Sequence, residues 1–171
     1  MTKQDFQSAY PAIADWIQKT LSDHAGKAKS VASLGFRRLP HYFDARMLAC
    51  TRVASLPTVP VPPLSAMGLA RFAGLEGLDL EGITYLDIYF VRADRARSES
   101  LHFHELVHVI QWRVLGPEKF LALYADGLER FGYRENPLEA MACSLQERFD
   151  REEQPFSVDA TCRALIRTML S

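Results

Sequence analysis

Apolar side chains recur every three or four residues in five parts of the chain. Residues at this spacing lie on one face of an α-helix, so each part can bury an apolar stripe. In the second part the stripe consists of Phe103, Val107, Ile110 and Val114. We therefore predict helices over residues 11–24, 101–115, 118–130, from about 137 onwards, and 158–170.

The segment ITYLDIYFV, residues 83–91, has the pattern of a β-strand. It is rich in β-branched and aromatic residues, and Leu86, Ile88 and Phe90 form one apolar face. Residues 45–56 are also predicted as a strand, with a short helix as the alternative. The prolines of residues 57–64 remove backbone donors and favour a stiff extended loop. This loop is either a connector or one wall of a cleft.

These elements predict the α+β class. A small antiparallel sheet is expected near one end of the 101–115 helix, followed by a helical C-terminal half. About half of the 171 residues are hydrophobic, which suits one globular domain spanning residues 1–171.

The 101–115 helix contains HELVH, with His104 and His108 four residues apart. Residues at this spacing lie one turn apart on the same face, so both imidazoles can reach one metal ion. Glu105 then lies beside that ion. There it can take a proton from a metal-bound water, the general-base role in H-E-x-x-H metallohydrolases. The motif predicts a catalytic Zn²⁺ site, although the two histidines could also be ordinary helix residues.

A hydrolytic zinc site commonly has three protein ligands, and Glu139 is the candidate for the third. Asn136 and Pro137 are typical of a helix start, which places Glu139 in the first turn of that helix. The same spacing fits a capping box, in which Glu139 would only bond back to the Asn136 amide. Cys143, one helical turn after Glu139, could point toward the same site.

Catalysis of this kind also needs a hydrogen-bond donor for the developing oxyanion. We favour Tyr133 because it is near Glu139 in the chain, and Tyr124, Arg134 and His102 are the alternatives. His102 lies two residues before His104, so we expect it on the opposite helix face and not at the metal. Asp87 could orient a metal-bound histidine by accepting its second N–H.

Over residues 83–145 the sequence resembles the zincin metallopeptidases, and more narrowly the gluzincins. HELVH carries most of this resemblance, and NPLEAMA is similar in placement to the asparagine-glutamate helix of the thermolysin group. HELVHVIQ also resembles small bacterial zincin-like proteins of unknown function that carry HELxHxxQ. The resemblance implies a minimal zincin-like fold and a zinc ion. In zincins a strand beside the active-site helix can also bind extended substrate through its edge, and the alternative for residues 83–91 is an ordinary half-buried strand.

Charge and cysteine content narrow the possible partners. With 20 basic and 21 acidic residues, a nucleic acid or anionic membrane partner has no electrostatic support. A peptide or small amide substrate is expected instead. The three cysteines lack CxxC spacing and are expected to be reduced, and the N-terminus lacks a signal-peptide core, which predicts a cytoplasmic protein. A non-catalytic metal-binding protein and a helical interaction module with a coincidental HExxH are the alternatives to a zinc metallopeptidase.

Overall fold

The computed structural model describes residues 3–152 and 154–171, with side chains from Phe6 onwards. The described residues form seven α-helices and one four-stranded sheet. The helices are α1 (Lys3–His24), α2 (Ala45–Cys50), α3 (Ala73–Glu76), α4 (Glu99–Leu115), α5 (Pro117–Phe131), α6 (Pro137–Asp150) and α7 (Val158–Leu170). The strands are β1 (Lys29–Ser30), β2 (Arg52–Leu56), β3 (Gly82–Tyr85) and β4 (Ile88–Arg92). The α+β class and all five long helices are confirmed.

The sheet has the order β1-β2-β4-β3 and is mixed. The pairs β1–β2 and β3–β4 are antiparallel, whereas β2 and β4 are parallel, from Arg52 opposite Ile88 to Leu56 opposite Arg92. The expected purely antiparallel sheet is therefore wrong for its central pair. A parallel pair needs a long crossover, and residues 57–87 supply it.

The single strand predicted over residues 45–56 is wrong in its first half. Asp44 accepts a hydrogen bond from the Met47 amide and starts α2, the standard N-cap arrangement. The backbone becomes extended only at Thr51, after which β2 begins. The short helix considered as an alternative is what these residues form.

The single strand predicted over residues 83–91 is a hairpin. Tyr85 pairs with Ile88, so Leu86 and Asp87 form a two-residue turn, and Leu86 has a φ of 58°. Such turns ordinarily contain glycine or asparagine because positive φ is costly for other residues. No turn signal was therefore visible. The hairpin makes β3 the edge strand of the sheet.

Helix α4 lies at the centre of the fold and packs against β3, α5, α6 and α7. Ser98 caps its start by accepting from the Leu101 amide, and Gly116, with a φ of 75°, ends it just before Pro117 starts α5. Phe103, Leu106 and Val107 are fully buried. The packing of α4 on all sides holds its histidines in fixed positions. Among the described helices, none combines the length and the apolar character needed to cross a membrane.

Candidate metal centre

Helices α4 and α6 bring three of the predicted site residues together. The Nε2 atoms of His104 and His108 are 3.0 Å apart. Oε2 of Glu139, in the first turn of α6, lies 3.4 Å from Nε2 of His104 and 3.5 Å from Nε2 of His108. His104, His108 and Glu139 form the one group of possible metal ligands found among the described residues.

The spacing of these three atoms fits a zinc ion. Ligand atoms about 2.0–2.1 Å from a tetrahedral zinc ion are about 3.3 Å from one another, close to the three separations of 3.0, 3.4 and 3.5 Å. Two imidazoles and one carboxylate are also a donor set that zinc hydrolases use, with a fourth position open to solvent or substrate. The residues present therefore fit the metal.

A buried glutamine fixes the tautomer of His108. Gln111 donates from Nε2 to the Leu138 carbonyl at 2.9 Å, so its other amide atom, Oε1, faces Nδ1 of His108 at 2.8 Å. Because Oε1 can only accept, Nδ1 of His108 must carry the proton. Nε2 is then the ring nitrogen directed toward His104 and Glu139, as in a metal-bound imidazole.

A second glutamine does the same for His104. Ser100 donates to the Asp150 carboxylate at 2.9 Å and therefore accepts from Nε2 of Gln146 at 2.8 Å. This leaves Oε1 of Gln146 to accept from Nδ1 of His104 at 3.0 Å. Both imidazoles thus direct Nε2 toward the same point. The sequence analysis identified neither Gln111 nor Gln146 as a candidate site residue.

Asn136 positions Glu139, and the capping box does not form. The Asn136 side chain accepts from the Leu138 amide at 3.1 Å and donates to the Tyr124 carbonyl at 2.9 Å, which ties the start of α6 to α5. The Asn136 amide donates to the Tyr133 carbonyl, not to Glu139. The Glu139 carboxylate is thereby left to face the histidines.

Electrostatics at the three residues favour a cation. Burial raises the pKa of Glu139, but the charge of His108 and hydrogen bonds with both histidines lower it more, so the pKa lies well below its usual range. Burial lowers the pKa of His104, while hydrogen bonds with Cys143 and Glu139 raise it well above 6.5. In the metal-free protein, positive charge shared with the histidines stabilises the carboxylate. A bound metal ion would supply this charge instead.

Glu105 lies beside the three residues and reaches the same cleft. It is 3% exposed, and Oε2 accepts a hydrogen bond from the Thr84 hydroxyl at 2.6 Å. Burial raises the pKa of Glu105, and the charges of His104 and His108 and the Thr84 bond offset part of this shift. A carboxylate with a raised pKa is a better proton acceptor than an exposed one.

The four candidate oxyanion donors lie in different surroundings. The Tyr124 hydroxyl donates to Oε1 of Glu139 at 2.6 Å. Tyr133 lines the same cleft and also bonds Glu139, and burial raises its pKa. Arg134 is exposed and does not line the cleft. His102 is turned away, since its Nε2 donates to the Ala96 carbonyl and its Nδ1 accepts from the Tyr89 hydroxyl.

Asp87 does not take the role of orienting a metal-bound histidine that the sequence left open for it. Its carboxylate accepts from Nε of Arg113 at 2.6 Å, at the hairpin turn. The glutamines occupy the positions that Asp87 would have taken beside the imidazoles. Cys143 is exposed and bonds His104, and it is not a member of the candidate ligand group.

The site opens into an apolar cleft. Pro62 and Leu64 contribute to its lining, so the proline-rich loop is a cleft wall as well as a connector. The outward carbonyl of Thr84 on the edge strand β3 already accepts from the Trp112 indole at 3.1 Å. An added substrate strand would have to share this acceptor.

Comparisons of the chain with protein-family models, curated proteins and solved structures gave no match. The interpretation of the centre therefore rests on the geometry of its own residues.

Proposed function

We propose that this protein is a zinc-dependent hydrolase, most similar in chemistry to a metallopeptidase, that cleaves a peptide or amide bond. The observation that carries the proposal is the convergence of two imidazole Nε2 atoms and the Glu139 carboxylate beside a buried glutamate, Glu105. The resemblance of HELVH to the zincin motif supports the same conclusion.

In this mechanism His104, His108 and Glu139 would hold the metal. A bound zinc ion lowers the pKa of a coordinated water toward about 7 and polarises the substrate carbonyl. Glu105 takes the proton of the attacking water and then delivers it to the leaving amine. The raised pKa of Glu105 suits both steps, because the group must accept a proton and release it again.

Thr84 and the two tyrosines complete the arrangement. The Thr84 hydroxyl holds one Glu105 oxygen at 2.6 Å and leaves the other free to accept the proton. Tyr133 and Tyr124 both lie beside Glu139. From there either hydroxyl can reorient and donate a hydrogen bond to an oxyanion. We retain Tyr133 as the proposed donor because the Tyr124 bond to Glu139 is short.

Zinc analysis of the untagged protein tests the metal site, and we expect about one zinc per chain. His104→Ala combined with His108→Ala should abolish zinc binding. Full zinc content in that double variant would overturn the proposed site, and a wild type that never binds zinc would favour the helical interaction module.

The Glu105→Gln variant tests catalysis separately from metal binding. Glutamine keeps the size and shape of the side chain but removes the base, so zinc content should persist while hydrolysis falls by about 10²-fold or more. An unchanged rate would exclude Glu105 as the base. Zinc binding without hydrolysis of any peptide or amide tried would favour the non-catalytic metal-binding alternative.

A further inference from the structure

One wall of the cleft is a continuous apolar stripe on α1. Phe6, Ala9, Ile13 and Ile17 all line the cleft and follow one another at helical spacing. Eleven residues of helix separate the first from the last, a length of about 16 Å. The stripe is therefore much longer than any single side chain that could bind against it.

Residues between β2 and β3 form another part of the lining. Leu64, Leu69, Phe72 and Leu75 line the cleft there. None of the described residues that line the cleft is lysine, arginine or aspartate. The histidine and glutamate side chains that line the cleft are those of the metal centre itself, namely His104, Glu105, His108 and Glu139.

The polar groups along the cleft already have partners. The Tyr85 hydroxyl donates to the Pro60 carbonyl at 2.8 Å, and the Trp112 indole donates to the Thr84 carbonyl at 3.1 Å. The Thr84 hydroxyl is bonded to Glu105, and the Tyr124 hydroxyl to Glu139. Side-chain donors and acceptors for an additional polar ligand are thus confined to the metal centre.

This arrangement disfavours a peptide chain and favours a hydrocarbon chain as the occupant. Every residue of a bound peptide brings an N–H and a C=O group, and each unpaired group costs free energy in an apolar cleft. Along the apolar walls a free carboxylate would find no lysine or arginine to pair with. A hydrocarbon chain needs no hydrogen bonds and gains from each buried methylene.

We propose that the substrate is an amide with a long, uncharged hydrocarbon acyl chain that lies along α1, with its carbonyl at the metal centre. This inference rests on the proposed function and specifies its substrate class. Water adds its oxygen to the acyl carbon, the C–N bond breaks, and the amine leaves with the proton that Glu105 carried. The products are a long-chain carboxylic acid and an amine. Ionisation of the acid beside Glu139 favours its release.

Displacement of the neutral dye N-phenyl-1-naphthylamine from the full-length protein tests the proposal. The competitors are butanamide, octanamide, dodecanamide and a blocked trileucine peptide amide. We expect the concentration needed for displacement to fall by about three- to fourfold for each added methylene that the cleft buries. No dependence on chain length, or stronger displacement by the peptide, would overturn the proposal.

A matched pair of variants locates the binding site. Ala9→Phe places a large ring in the cleft, whereas Ala12→Phe makes the same change on the exposed face of α1. Ala9→Phe should weaken dodecanamide binding at least tenfold and leave butanamide binding unchanged, and Ala12→Phe should change neither. Equal effects of the two variants would place the dye and the amides outside the cleft. Ala9→Leu makes a smaller change at the same position. Circular dichroism of Ala9→Phe and Ala9→Leu shows whether α1 remains folded, and so whether weaker binding comes from a filled cleft or from a misfolded helix.

The binding measurement does not depend on catalysis. It is made on the protein as purified and again after chelator treatment, and the same chain-length dependence is expected in both. Chain-length dependence without zinc or hydrolysis would support the apolar site and count against the hydrolase. Hydrolysis of dodecanoyl p-nitroanilide no faster than of the acetyl compound, in a zinc-containing enzyme, would overturn the acyl-chain proposal alone.

Discussion

Gly82 lies directly against the carboxylate of Glu105. A Cβ atom built on Gly82 would be 2.7 Å from the carboxylate carbon of Glu105 and closer still to Oε1. Side chains essentially never approach so closely, and Glu105 is also held by Thr84. Only glycine at this position of β3 leaves room for the proposed base.

Gly82→Ala should therefore displace Glu105 and leave the metal ligands in place. We expect zinc content to remain unchanged and amide hydrolysis to fall by about 10- to 100-fold, because small misplacements of a catalytic group have effects of this size. The measurement is kcat together with zinc content. Gly74→Ala is the matched control, since nothing lies within 4 Å of a Cβ built there, and it should behave as wild type.

Gln111 is the next residue whose role can be tested. Gln111→Leu removes the acceptor for Nδ1 of His108 and leaves the Leu138 carbonyl without its donor. We expect zinc affinity to fall by about 10- to 100-fold and the free energy of unfolding to fall by about 1–3 kcal/mol. Chelator competition and urea denaturation measure the two effects. If Gln111→Leu binds zinc as tightly as the exposed-site control Gln18→Leu, Gln111 does not orient His108.

Local spacing predicted part of this centre. His104, Glu105 and His108 follow from helical periodicity, and Gln111 is three residues beyond His108, within reach on the same helix. Gln146 is 42 residues from His104. Its position depends on how α4 and α6 pack, which periodicity does not specify. The same limit explains Asp87, which was considered as a partner for a metal-bound histidine but pairs with Arg113 at the hairpin turn.

The strand predictions were weaker because β-propensity depends on context. In residues 83–91 the apolar and aromatic pattern continues through the turn at Leu86 and Asp87, so one strand and a hairpin look alike. For residues 45–56, the sequence feature that indicated a helix was Asp44, a residue type that favours the N-cap position. The parallel pairing of β2 with β4 is a tertiary feature that neither segment encodes alone.

The thiols should differ sharply in reactivity. Cys162 is fully buried, and burial raises its pKa to about 12, so it remains the unreactive thiol at neutral pH. Cys50 and Cys143 are exposed. With iodoacetamide at pH 8 we expect mass spectrometry to find both exposed cysteines labelled and Cys162 unlabelled. Labelling of Cys162 should begin only after unfolding in guanidinium chloride, and its rapid labelling in the native protein would contradict the packing of α7.

Glu139 distinguishes this centre from a simple pair of helical histidines. Its carboxylate oxygen lies 3.4 and 3.5 Å from the two imidazole nitrogens, and an amide is a poorer donor to a divalent cation than a carboxylate. Glu139→Gln should therefore weaken zinc binding about tenfold or more, while the bond from Tyr124 can persist to the amide oxygen. Chelator competition at one pH measures the change.

Glu135→Gln provides the matched control for Glu139→Gln. It removes the same charge four residues earlier, from an exposed side chain just before α6, and should leave zinc affinity at the wild-type value. An equal loss in both variants would mean that long-range charge, and not coordination, holds the cation. If Glu139→Gln releases zinc at the wild-type chelator concentration, Glu139 is not a ligand, and Cys143, which bonds His104, becomes the residue to test.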